Sequence, residues 1–162
     1  MIEIHPDARI SSLADIEGSV RGSRICIGAN SVIDSFVKIK PVGGAGGVII
    51  GAHTYINSGC VLYSGNGIEI GDHVAIASNC TLAPVNHAYH DKRRRISQQG
   101  FLPSKGGIRI EDDVWIGANC VILDGAVIRQ GVVVAAGSIV RGELQAYGIY
   151  AGSPLQRKGF RQ

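Results

Sequence analysis

A chain of 162 residues and 17.0 kDa is long enough for one domain with its own core and short for two. It is 45% hydrophobic but only 6% aromatic and holds 23 glycines, so the core must be built from small branched side chains with many tight backbone corners. A formal charge of +3 and a pI near 8.8 suit an anionic small ligand and fall short of the basic stripe that nucleic-acid binding requires.

The opening "MIEIHPDARI" has acidic residues and no apolar run of signal-peptide length, and eighteen uninterrupted apolar residues occur nowhere, so a cytoplasmic protein without membrane insertion is expected. Ile10 and Ile16 begin a six-residue spacing as a partial first coil. The spacing continues through Ile27, Ile33 and Ile39, then Ile50, Ile56 and Leu62, then Ile70, Ile76 and Leu82. It resumes at Ile110, Ile116, Ile122, Ile128, Val134 and Val140. A six-residue period matches neither a helical stripe nor plain strand alternation. It matches a three-sided prism in which each hexapeptide supplies a short strand and a corner, and each coil stacks on the last through parallel hydrogen bonds. Gly or Ala often follows the aliphatic, as at Gly28, Gly51, Gly71, Ala77, Gly117 and Ala135, as a tight corner would favour. Four residues after the aliphatic, Cys60, Cys80, Cys120 and Ser138 form one column. The cysteines lack CxxC spacing and read as small apolar fillers of a narrow interior, with no catalytic or metal role.

The repeat is interrupted once. "LAPVNH" from Leu82 is an ordinary hexapeptide, but the next aliphatic in register is Ile110, so a loop of about 88–109 must leave the prism and return. It begins with "NHAYH" and carries "DKRRR", the only dense charge cluster. That cluster lacks the length and interleaved aromatics of a nucleic-acid patch and reads as a solvated crest or an attractor for an anionic acceptor.

"NHAYH" with its loop, then "IRIEDDVWIGANCVILDGAVI", "VVVAAGSIV" and "IYAGSPLQRK", resembles the hexapeptide-repeat, acetyl-CoA-dependent sugar acetyltransferases, a group that includes maltose and galactoside acetyltransferases and bacterial polysaccharide O-acetyltransferases. The similarity runs from about residue 50 to 158. It implies an all-β, left-handed parallel β-helix of about five to six coils over a single domain, 1–162, with one extruded loop and a short C-terminal segment. Periodicity does not set the hand, which comes from the resemblance alone.

The resemblance also places functional residues. His87, at the loop entry, falls on the family's general base: a neutral imidazole takes the proton of an acceptor hydroxyl as it attacks the thioester. His90 matches a second family histidine, and Asp91 stands where a carboxylate could orient an imidazole. Asn57 matches an asparagine that contacts the acceptor, one coil from His87; Gly65, with Asn66 beside it, stands where relatives carry an aspartate. On the cofactor side, Ala118 and Ala136 fall where small side chains and backbone amides meet the pantetheine arm of acetyl-CoA. Trp115 falls where an aromatic of a neighbouring subunit lines that arm, and its place after an inward valine points it outward. Arg141 and Gly142 occupy a Thr-Lys pair of the family, and Arg157 and Lys158 are the remaining cations for the CoA phosphates.

These readings make the chain an O-acetyltransferase of a saccharide, in surface polysaccharide synthesis because the repeat starts without the helical leader of the maltose enzymes. The alternative is N-acetylation of a nucleotide-linked amino sugar. Two others compete: a zinc enzyme like the γ-type carbonic anhydrases, for which His53 and His73 stack at equivalent positions, and a non-catalytic binding solenoid. No metal is expected. The resemblance further implies a homotrimer with active sites shared between neighbouring subunits.

Overall fold

A computed structural model describes residues 1–162. Twenty-one strands of two to five residues and one short 3-10 helix, Ile96–Gln98, form a left-handed parallel β-helix. No strand of two or three residues stands alone; each is held by the equivalent strand of a neighbouring coil, on both sides except at the ends of the stack. The first face stacks seven strands (Ile2–Ile4, Ile25–Ile27, Val48–Ile50, Ile68–Ile70, Ile108–Ile110, Ala126–Ile128, Glu143–Leu144). The second stacks Arg9–Ile10, Val32–Ile33, Tyr55–Ile56, Ala75–Ile76, Trp115–Ile116, Val133–Val134 and Gly148–Ala151. The third stacks Asp15–Ile16, Lys38–Lys40, Val61–Tyr63, Thr81–Ala83, Val121–Leu123 and Ile139–Val140. There are thus six complete coils and a seventh of two faces; the first coil, expected from Ile10 and Ile16 as a partial one, is complete because Ile2–Ile4 supplies its first face.

Every aliphatic of the six-residue series from Ile27 to Val140 points inward and is fully or almost fully buried. In the first coil the same columns are half open, with Ile2 and Ile4 about 40% and 42% exposed, because no coil covers them. The opposite end is closed by Gln156–Phe160, which turns back antiparallel on Gly148–Ala151. Arg161 then donates to the Asp113 carboxylate at 2.8 Å and to the Gly131 carbonyl at 3.1 Å.

The glycines after the aliphatics do a different job from the one their position implies. Gly117 has no positive φ; a Cβ there would lie 2.5 Å from the Ala136 nitrogen of the next coil. The close approach of coils therefore demands glycine, while the left-handed bend comes two residues later. That bend is at Asn30, His53, His73, Asp113 and Tyr147 on one edge and at Phe36, Asn79 and Asn119 on another.

The polar interior is a ladder of links between coils. Cys60 donates to the Ala77 carbonyl (3.1 Å), Cys80 to Gly117 (3.2 Å) and Cys120 to Ala135 (3.2 Å). Ser138, the last of the column, donates to Ala135 (2.6 Å) and accepts from the Gly152 amide (3.0 Å). Neighbouring Cys80 and burial together push the Cys120 thiol well up from its ordinary pKa.

All departures from the prism occur at the edge between the third and first faces: residues 17–24, 41–47, 64–67 and 84–107. The longest of these, 84–107, carries the extruded loop between Thr81–Ala83 and Ile108–Ile110, which pairs with Ile68–Ile70.

Candidate active site

The loop is pinched at its base. The Ala88 amide donates to the Gly100 carbonyl (2.9 Å) and the Leu102 amide to that of Asn86 (2.8 Å), so His87 and Phe101 face each other as an antiparallel bridge. The His87 ring packs against Phe101 with centroids 4.8 Å apart and planes tilted by 44°. Neither His87 ring nitrogen is bonded within the chain, and the residue is exposed, so the ring is positioned by packing with both nitrogens free for a ligand. The His90 ring packs instead against Tyr89, with centroids 4.5 Å apart and planes tilted by 37°. Asp91 orients no imidazole; its carboxylate accepts from the Arg93 amide and guanidinium, both at 3.0 Å, which hold its pKa below the usual range. Adjacent residues of a tight turn reach each other before either reaches back to the pinch.

The return of the loop depends on a residue the motifs did not single out. Asp124, almost wholly buried at the end of the fifth coil, accepts from the Lys105 and Gly107 amides, both at 2.9 Å, and from the Asn66 side-chain amide at 3.2 Å. One carboxylate thus ties the loop's last residues to two coils. A lone acid inside "CVILDGAVI" was the available sequence signal. The Asn66 side-chain amide is engaged with Asp124, and the position of the family aspartate is held by Gly65, which has no side chain to replace it.

A cavity of about 460 Å³ opens between the loop and the last coils, lined by Asn86, Tyr89, Leu102, Lys105, Arg141 and Gly142 among others. Arg141 and Lys105 enter no ion pair. Arg141 also borders a second cavity with Ser153, Pro154 and Leu155, so the "AGSP" turn and the loop meet on either side of one guanidinium. Arg157 lies apart: its guanidinium donates to Gln145 and covers the Phe160 ring at 4.7 Å. Lys158 donates to Gln156 at 2.9 Å. The terminal strand carries these two cations to the second face and not to Arg141.

Ala118 and Ala136 lie on successive coils at the edge between the second and third faces, and their amides have no acceptor in the chain, as with Ser58 and Ser78 in the same column. Asn57 sits on that edge too, not beside His87, and donates its side-chain amide to the Ile76 carbonyl at 2.9 Å. Corner geometry separates them: Asn57 follows the second-face strand and His87 follows the third, a full face of roughly 10 Å away. Trp115 points outward from the second face, 54% exposed, between Ala75 and Val133 in the ladder. Within one chain, therefore, His87 with Arg141 and Gly142 occupies one edge, and Asn57, Ala118 and Ala136 another, with Trp115 on the far face. His53 and His73 stack with ring centroids 4.9 Å apart and planes within 2°, parallel and not converging, and no three metal-ligating side chains come together.

The bacterial transferase hexapeptide family, by its six-repeat profile, matches residues 107–142. Over 54 residues the chain is 48% identical to a 2,3,4,5-tetrahydropyridine-2,6-dicarboxylate N-acetyltransferase of Staphylococcus aureus, a match that spans 33% of this chain and only 23% of that protein. The fold overlaps AntD, an N-acyltransferase from Bacillus cereus, in complex with dTDP and coenzyme A, with a TM-score of 0.83 and 26% identity over 99% of this chain and 84% of that one. A further AntD complex, with dTDP-4-amino-4,6-dideoxyglucose and coenzyme A, gives 0.82 at 28% identity, covering 99% and 84%. A hexapeptide-repeat acetyltransferase from Vibrio cholerae gives 0.65 at 28% identity, covering 96% and 72%. The family profile spans 36 of the 162 residues, and along nearly its whole length the chain is similar in fold to these solved acyltransferases.

Proposed function

We propose that the protein transfers an acetyl or similar acyl group from acyl-CoA to the amino group of a nucleotide-linked amino sugar. The observation that carries this reading is the near-complete overlap with an N-acyltransferase that holds coenzyme A and a dTDP-amino sugar, joined to a free, positioned imidazole at the loop base. It moves the acceptor from the hydroxyl expected of a polysaccharide O-acetyltransferase to an amine.

In this reading the neutral acceptor amine attacks the thioester carbonyl, forming the C–N bond and an oxyanion. The His87 imidazole takes the proton lost by nitrogen, the C–S bond breaks, and that proton passes to the departing thiolate. The free amides of Ala118 and Ala136 suit the pantetheine arm and the oxyanion. Arg141, backed by Gly142, enters no ion pair and so offers a cation to an anionic phosphate, in a cavity that Asp124 also lines but where its carboxylate is taken up by the Lys105 and Gly107 amides, and Arg157 and Lys158 supply charge further along. Asn57 retains its side-chain oxygen for an acceptor, and His90 flanks the entrance.

Because His87 and the Trp115 face are separated within one chain, the reading requires a second copy. A homotrimer whose clefts pair the loop edge of one subunit with the second face of the next brings the two sets together. Mass spectrometry of products formed from acetyl-CoA with dTDP-linked amino sugars and with neutral saccharides tests the acceptor. An N-acetylated nucleotide sugar is expected; product only from hydroxyl acceptors would reject the amine.

A further inference from the structure

The loop concentrates the protein's positive charge. Five of the sixteen Lys and Arg residues and one of the thirteen acidic residues lie in 84–107, so this segment carries +4 and the remainder of the chain −1. Four of the five cations, Lys92, Arg93, Arg94 and Arg95, are consecutive and exposed at the crest. The crest is built, not slack. Gln99 accepts from the Asp91 amide (3.1 Å) and donates to the Asp91 and Arg94 carbonyls (both 3.0 Å), Arg94 donates to the Gln98 carbonyl, and Ile96–Gln98 forms a 3-10 turn. Arg93 is partly neutralised by Asp91, whereas the Lys92 and Arg95 side chains have no partner. Directly beside them Ile96 is 56% exposed with nothing covering it.

The nearby cavity is lined by Asn86, Tyr89, Leu102 and Lys105 from the loop, not by the crest cations. These therefore face outward, towards an extended anionic surface and not a small ligand in that cavity. Cations around a protruding aliphatic side chain match a lipid interface, where headgroup phosphates meet the charges and the apolar group enters the acyl boundary. Phosphate on nucleic acid would meet the charges but leave Ile96 without a use.

We propose that the 91–98 crest is a peripheral docking element for an anionic lipid leaflet. This is independent of the acyl-transfer reading. Holding the crest in one conformation by the Gln99 links lowers the ordering entropy that binding must otherwise offset. A single crest gives weak, reversible attachment, sensitive to salt, and a trimer would present three.

Co-sedimentation of the whole protein with sucrose-loaded phosphatidylcholine vesicles, with and without phosphatidylglycerol, tests the proposal. Binding only to the anionic vesicles, weakening in high salt, is expected. Lys92→Gln with Arg95→Gln should weaken it about fivefold per charge removed. Ile96→Ser should weaken it without changing the salt dependence, and all variants should keep the wild-type circular dichroism and thermal transition. No binding to anionic vesicles, equal binding to neutral ones, or an undiminished response in the double variant overturns it. Displacement of the vesicles by double-stranded DNA at equal charge concentration would also overturn it and assign the crest to nucleic acid.

Discussion

The His87 imidazole makes no hydrogen bond in its own chain, so its loss should cost chemistry and little stability. His87→Ala is expected to lower acyl transfer by at least about 100-fold with acetyl-CoA affinity within a few-fold, measured by steady-state kinetics and calorimetry. Near-normal turnover would remove it from the mechanism. Asp124 should behave oppositely. Asp124→Ala strands the Lys105 and Gly107 amides, each expected to cost about 1–3 kcal/mol where buried. Urea unfolding should show that loss, and limited proteolysis should cut within 84–107 faster than in wild type. Unchanged proteolysis would mean that the pinch at His87 and Phe101 suffices to hold the loop.

The coils stack through ladders of equivalent positions, and two of these make predictions. The Cys60, Cys80 and Cys120 thiols are buried and donate to carbonyls of the next coil, and Cys80 is pushed up to about 11 because the lowering influence of the neighbouring Cys120 is outweighed by that of Cys60 together with burial. Native protein should therefore react with a thiol reagent at Cys26 only, and all four should react in denaturant. Fast labelling of a second thiol without denaturant would contradict a sealed interior. On the outer first face, Arg129 donates to Glu111 and Glu143, both at 2.8 Å, and holds the Glu111 carboxyl below its ordinary pKa. A depressed folded pKa contributes stability that is present above the unfolded value of about 4.3 and lost as pH falls through the lower folded value. Arg129→Gln should accordingly raise the pH of acid unfolding, followed by circular dichroism, and leave stability near neutral pH less affected than a core truncation.

Across the whole molecule, the two halves of the proposed site lie on different edges of the prism, and a general base and a thioester act only when they meet at one acceptor nitrogen. Subunits carrying His87→Ala, mixed with subunits whose CoA edge is blocked by Ala118→Trp, should regain activity although neither parent has any. Failure after confirmed subunit exchange would mean that each chain builds its own site. A monomer by light scattering would reject the assembly itself. The apolar second-face column of Val32, Tyr55, Ala75, Trp115, Val133 and Ile149 is the surface such an assembly would cover.

Much of this architecture was readable from spacing alone. A six-residue aliphatic period admits one strand and one corner per repeat, so the interior columns, the thiol ladder and the outward direction of Trp115 follow from local alternation. The loop's existence followed equally from the single lapse in that period. The anchor of its return did not, because that is Asp124, which is 17 residues from Gly107 and 58 from Asn66 in sequence. The partners of Asp91 and Asn66 were hidden for the same reason: a short polar side chain bonds whichever partner the folded chain brings nearest, Arg93 in one case and Asp124 in the other. Gly117 is required by a neighbouring coil and not by its own dihedral angles. Asn57 and His87 come close in coil number yet occupy separate edges, since each corner turns the chain onto a new face. Period is a local property that any repeat displays, whereas partners and edges depend on contacts between residues far apart in the chain, which only the stacked prism determines.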